Sequence, residues 1–204
     1  MVSYQKALDI ILGQEVVLDT ERVPFDKALH RVLAEDVYSD IDMPPFDKAA
    51  MDGFACRRND LGQWLRVVEE VAAGNVPQVP IEPGCCARIM TGAMVPSGAD
   101  TVIMVEQTET GPDGMIRFTG EKTSANIALK AEDVQKGQKV WDKGQIIRPQ
   151  HTAIFSSVGY TKPLVYKQPR VGILSTGDEL VEPSHFPETG KIRNSNGFQL
   201  AAQA

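Results

Sequence analysis

The sequence predicts an α+β, multi-domain fold: a β-rich unit inserted between two halves of another unit, then the opening strand and helix of a doubly wound α/β domain. Three features carry this. Residues 39–129 are punctuated by Gly and Pro and hold short alternating or β-branched runs. Arg170 to Leu180 is an apolar run that breaks at Gly177 among polar side chains, the form of a buried parallel strand whose C-terminal end faces a ligand. Val2 to Leu18 places Ala7, Leu8, Ile11 and Leu12 at helical spacing, and a lone helix with one apolar stripe must dock on something else.

Taken in order, Ser3 caps the first helix and Gly13 ends its regular part. Glu21 to Pro24 is extended. Phe25 to Leu33 is a short helix with Ala28, Leu29, Val32 and Leu33 inward, and Ala34 to Tyr38 leaves it as a strand. In Met43 to Ala55, two prolines bar a helix across themselves, Asp47 caps a short turn, and Asp52-Gly53 closes the stretch as a turn. Trp64 to Val71 is a strand, and Ala72 to Pro83 is loop because Gly74 and three prolines interrupt it. Ala87 to Met90 is a short strand running into Thr91-Gly92-Ala93. Thr101 to Thr108 is a strand buried on both faces, and Met115 to Thr119 answers it across the Gly111–Gly114 turn. Lys139 to Trp141 and Ile146-Ile147 make a hairpin about Asp142-Lys143-Gly144. Thr152 to Val158 is a helix ended by Gly159, Leu164 to Tyr166 a strand, and Asn196 to Ala204 a helix. One parallel strand and one helix do not complete a doubly wound domain, so the expectation is a chain cut within its α/β domain.

Composition narrows the function. With 204 residues, 42% of them hydrophobic and 24% charged, the chain reads as globular. A net charge of −6 and the lack of a Lys/Arg stripe argue against nucleic acid, though not against a small anion in a local basic pocket. Cys56, Cys85 and Cys86 are odd in number and two are adjacent, which argues against a disulfide framework. His30, His151 and His185 lie far from them in sequence, which argues against zinc. Reduced thiols, no apolar run of about 18 residues and no signal-peptide pattern predict a cytosolic chain with no membrane segment.

Two carboxylate groupings are candidates for chemistry. Asp52 sits among apolar neighbours; it is either a turn aspartate bonding backbone or a held reactive acid. Asp178 and Glu179 follow Gly177 at a strand end, where phosphate or a hydrated metal can approach the backbone. The alternative there is a solvated turn or helix cap. A generic nucleotide-binding reading of the Thr176-Gly177-Asp178 turn finds no G-x-G-x-x-G and no Walker lysine.

Several stretches together resemble one family. Pro45-Phe46-Asp47 with Ala50-Met51-Asp52-Gly53-Phe54-Ala55 is similar to the P-x-F-D-x-S-A-M-D-G-Y-A signature of the MoeA/gephyrin E-domain family, the molybdopterin molybdenumtransferases. Ile89 to Ala93 with Pro96 to Val102 resembles its I-x-T-G-A-x-x-P-x-G-A-D-x-V run. Glu132-Asp133-Val134 with Gly137, Leu174 to Leu180 (S-T-G-D-E-L), and Ile192 to Asn196 resemble three further family segments, in family order. The later S-G-G-x-S and P-G-K-P runs do not occur. Ala49 stands for the usual Ser, Phe54 for the common Tyr, and His30 for a Gly, where a side chain fits only if φ is not positive.

The resemblance implies an elongated homodimer of four-domain subunits. Residues 21–38 and 130–168 would form the first domain, 39–129 the inserted second, and 1–20 with 169–204 part of the third. It implies insertion of molybdate into adenylylated molybdopterin with release of AMP, assisted by Mg²⁺, with the pterin supplied by the molybdopterin adenylyltransferase of the same pathway. Asp52, Thr91 and Glu179 would be catalytic, Asp52 reaching across the dimer, and Thr91-Gly92 would offer a hydroxyl and exposed backbone donors. Asp133, Gly92, Ser175 and Thr176 would bind substrate; Asp178 and Glu179 would hold the metal. The chain by itself would be inert. Eukaryotic relatives also use the fold as a receptor-clustering scaffold, so binding without catalysis is the competing implication.

Overall fold

The structure is a computed structural model that describes residues 2–14, 16 and 18–204, and all of these but the Pro112 side chain. The chain divides into two compact units, Arg22–Leu164 and Met1–Glu21 with Val165–Ala204. Mixed sheets and few helices make it α+β. Among the described residues, no helix is long and apolar enough to cross a membrane.

The 22–164 unit is built on a four-stranded sheet in the order Arg66–Val71, Cys85–Ile89, Gly53–Cys56, Thr101–Met104. The first pair is parallel and the other two antiparallel. Successive side chains alternate between two buried faces. Ala55, Ala87 and Val102 join Ala49, Val71, Ile81, Ile89 and Ala93 on one side. Phe54, Cys56, Cys86 and Ile103 join Leu65, Ile116 and Phe118 on the other. Burial on both faces explains why Val102, Ile103 and Met104 read as an unbroken apolar run. The hairpin Thr108–Thr110 with Ile116–Phe118 closes over the second face. It is tied down where Leu65 and Ile116 exchange backbone hydrogen bonds of 2.7 and 2.9 Å.

The predicted Thr101 to Thr108 strand is two strands split by a 3-10 turn at Val105–Gln107, which carries the chain from the sheet to the hairpin. Gly53 is no turn glycine. It opens the central strand, and a Cβ there would collide with the Ile103 carbonyl. Asp47 caps no helix: its Oδ1 accepts from the Lys130 amide at 2.7 Å, and Lys48–Ala49 pairs with Ile127–Ala128.

Pairings join residues 32–49 to 127–147. Val37–Tyr38 runs antiparallel to Lys139–Trp141, and Val32 bridges Ile146. These pairings replace the expected Lys139–Ile147 hairpin, because each arm finds a partner in 32–38 instead. They also displace the expected Phe25–Leu33 helix. Only Phe25–Lys27 forms a helical turn, and the His30 and Leu33 amides donate to Ile147 and Gln145 carbonyls at 2.9 Å. His30 takes φ 63°, so the left-handed position that suits Gly is occupied by a side chain. Helix Pro149–Ser157 starts on its proline and buries His151 and Phe155.

In the other unit, helix Tyr4–Leu12 is capped by Ser3 and ended by Gly13, shorter than the Val2 to Leu18 expected. Of that expectation, Glu15 and Val17 lie outside the described residues. Ala7 and Leu8 are half-buried, while Ile11 and Leu12 are exposed. The anticipated strand at Arg170 to Leu180 does not form. Residues 168–177 are irregular, with Leu174 88% exposed, since among the described residues no strand pairs with them. Strand character begins only at Leu180–Val181, parallel to Ile192–Arg193, and helix Asn196–Gln203 follows.

Candidate functional site

Asp52 lies immediately before the central strand, and its side chain is exposed. Across the ladder, strand Cys85–Ile89 runs out into Met90 and Thr91. The Thr91 amide and its hydroxyl both donate to Asp52 Oδ1, each at 2.7 Å. Those donors, the backbone one first, hold the Asp52 pKa below the usual carboxylate range, with Arg88 adding a smaller attraction. The result is an ionised, oriented acid whose Oδ2 accepts no hydrogen bond among the described residues.

This corrects one expectation. Thr91 and Gly92 do not present spare donors: the Thr91 amide is committed to Asp52, and the Gly92 amide to the Ala49 carbonyl at 2.8 Å. Gly92 serves the turn through its φ of 82°. Asp133 stands apart in a loop whose fold is set by backbone, its amide donating to the Met43 carbonyl at 2.9 Å. Asp100 of the G-A-D run is structural: its Oδ1 accepts from the Arg58 amide at 2.6 Å and from the Thr101 hydroxyl at 3.1 Å.

The second grouping lies in the other unit. Ser175, Thr176 and Glu179 line a cavity of about 320 Å³ together with Leu174, Asn194 and Asn196. Gly177 has φ 150°, and a Cβ there would sit 2.6 Å from both Glu179 carboxylate oxygens. Glycine suits the backbone angle, and a side chain there would also push the Glu179 carboxylate aside. The Asn194 Oδ1 accepts from the Gly197 amide at 3.0 Å and so caps the last helix. Asp178 does not line this cavity; its carbonyl accepts from the Lys191 ammonium at 2.6 Å. Among the described residues, no group of three or more His, Cys, Asp or Glu side chains is placed to hold a metal.

Burial raises the Cys56 and Cys86 thiols to about 12, so they are protonated core groups rather than nucleophiles. Sequence reasoning missed Arg88 and Asn194. Arg88 had a signal: it is the lone charged residue in an apolar strand. Asn194 had none.

Comparison with known proteins supplies the context. Residues 2–159 match the family model described as MoeA N-terminal region (domain I and II). The Staphylococcus aureus (strain Mu50) protein named molybdopterin molybdenumtransferase is 39% identical over 160 residues, 75% of this chain and 38% of its own length. The Haemophilus influenzae protein of that name is 42% identical over 155 residues, 74% of this chain and 38% of its own. This chain therefore spans well under half the length of the curated relatives it matches. The crystal structure of a molybdopterin biosynthesis moeA protein from Pyrococcus horikoshii OT3 aligns with a TM-score of 0.88 at 39% identity, covering 100% of this chain and 56% of that one.

Proposed function

The chain belongs to the MoeA family through its N-terminal region, and on that premise we propose that it serves molybdenum cofactor biosynthesis as part of a molybdopterin molybdenumtransferase. The reaction is insertion of molybdate into adenylylated molybdopterin, with release of AMP. The observation that carries this reading is the Asp52 carboxylate, exposed, kept ionised and aimed by two Thr91 donors. Cleaving a phosphoanhydride needs an oriented charge and an activated nucleophile, and a fixed anionic acid can align or deprotonate one.

The Ser175–Glu179 turn supplies hard oxygen donors, and that set suits Mg²⁺, which takes one or two carboxylates and completes its shell with water and substrate phosphate. Glu179, from inside the cavity, would hold the ion, and Asp178 would join it by turning its carboxylate in; the ion's chemistry there is neutralisation of the anhydride charge. Ser175 and Thr176 would orient the substrate through their hydroxyls. Asp133 would contact the substrate from its loop, where its amide is held by the Met43 carbonyl.

In this reading 39–129 is a domain inserted into a first domain made of 21–38 and 130–168. The pairing of 32–49 with 127–147, which brackets the insert, supports it. The clustering of Met1–Glu21 with Val165–Ala204 supports assigning 1–20 and 169–204 to a third domain. The reading includes a homodimer and delivery of the pterin by an adenylyltransferase. It is tested by AMP release from adenylylated molybdopterin, with molybdate and Mg²⁺, in a protein spanning the relatives' full length. Asp52→Asn, whose Oδ1 can still accept the two Thr91 hydrogen bonds while the charge and the Oδ2 acceptor are lost, should slow it. An unslowed variant would remove Asp52 as the reactive acid, and no AMP release by the unaltered protein would favour a scaffold without catalysis.

A further inference from the structure

Arg88 is exposed between buried Ala87 and Ile89. The ladder sets it opposite Phe54, and its guanidinium lies 5.7 Å from the centroid of that ring. Phe54 is only 4% exposed, so the platform is fixed. Stacking on it restrains the arginine without using its N–H groups. Among the described residues, the guanidinium makes no hydrogen bond and no ion pair, so its donor fork is unspent. Asp52 falls on the same sheet face when the strand alternation is continued past Gly53, diagonal to Arg88. The two charges do not close on each other; both face solvent, beside the Thr91 clamp. An unspent planar fork on an otherwise acidic chain matches the paired oxygens of a phosphate.

We propose that Arg88 binds the phosphate of the adenylate substrate at the Asp52–Thr91 site, a specificity residue that holds the anion while Asp52 faces the reacting atoms. The inference rests on the function proposed above and deepens it. The contribution of Arg88 to Asp52 acidity agrees with this proximity.

The test follows the Arg88 Nε–Hε NMR signal of this chain during titration with AMP and, separately, with adenosine. AMP should shift it saturably and adenosine should not. Arg88→Met, with an otherwise unchanged amide spectrum, should weaken AMP binding at least about tenfold, the scale of a lost charge-assisted hydrogen bond. Arg88→Lys should fall between, since it keeps the charge and loses the fork. No saturable shift, an equal response to adenosine, or undiminished AMP binding by Arg88→Met would overturn the proposal. Binding here needs no turnover, so those results leave the AMP-release reading intact. A protein that binds AMP through Arg88 but never liberates it from adenylylated molybdopterin overturns only that reading.

Discussion

Asp52 owes its acidity to geometry rather than burial: one residue, Thr91, sends two donors to one of its oxygens. A carboxylate with a folded pKa below its unfolded value adds stability above about pH 4, and that contribution is lost as pH falls through the folded value. Asp52 therefore stays charged through the whole neutral range. His30 is the opposite case, a residue held against its preference at φ 63°. A left-handed conformation costs an L-residue about 1–2 kcal/mol, while glycine gives back about 0.5–1 kcal/mol through its looser unfolded state. His30→Gly should thus raise stability by about 0.5 kcal/mol, a Tm rise of about 1–2 °C by calorimetry. A fall would mean that the imidazole makes contacts outweighing the strain. At this scale the sequence showed Asp52 as a candidate but not its clamp. The two partners are 39 residues apart, and only the ladder register brings Thr91 to it.

Elements were legible where burial and period agreed. Thr101–Met104 is legible in its apolar run and Arg66–Val71 in its alternation, but Gly53–Cys56 hides behind the Asp52-Gly53 turn signal. The 149–157 helix is legible from Thr152 on through the Gly159 that follows it, while Pro149 reads as a strand stop rather than as the first residue of the helix. The 25–33 and 170–177 segments misled. In the first, helical spacing lost to backbone pairing with 145–147; in the second, an apolar run has no strand beside it to make it one. The 149–157 helix also carries a pH response. His151 is 4% exposed, its Nδ1 accepts from the Arg148 amide at 3.0 Å, and its ring centroid lies 3.8 Å from that of Trp141. Burial first, and the Arg148 charge after it, hold its pKa below 6.5, against a backbone hydrogen bond to Ile146 that raises it. The unfolded chain then binds the extra proton first. Stability from this group is complete above about pH 6.5 and is lost as pH falls from there toward the folded pKa. Denaturant titrations from pH 7.5 to 5 should show a shallower loss in His151→Gln than in the wild type. Equal slopes would remove His151 as the source.

At the scale of the whole molecule, the order of motifs marks the family in the sequence itself, because five short runs in order are hard to meet by chance. The packing within each unit was not legible, since it depends on long-range pairings such as Val37–Tyr38 with Lys139–Trp141. The proposed homodimer is checked by light scattering on a protein spanning the relatives' full length: a mass of two subunits is expected, and one subunit at micromolar concentration would contradict it. The central claim is that Asp52 is the reactive acid of a molybdate-inserting enzyme. Its most direct measurement is the rate of AMP release from adenylylated molybdopterin, with molybdate and Mg²⁺, by that same full-length protein and its Asp52→Asn variant. The account predicts a slowing of about 10²-fold or more at unchanged fold, the scale of a lost acid–base or positioning group; equal rates in the two proteins would contradict it.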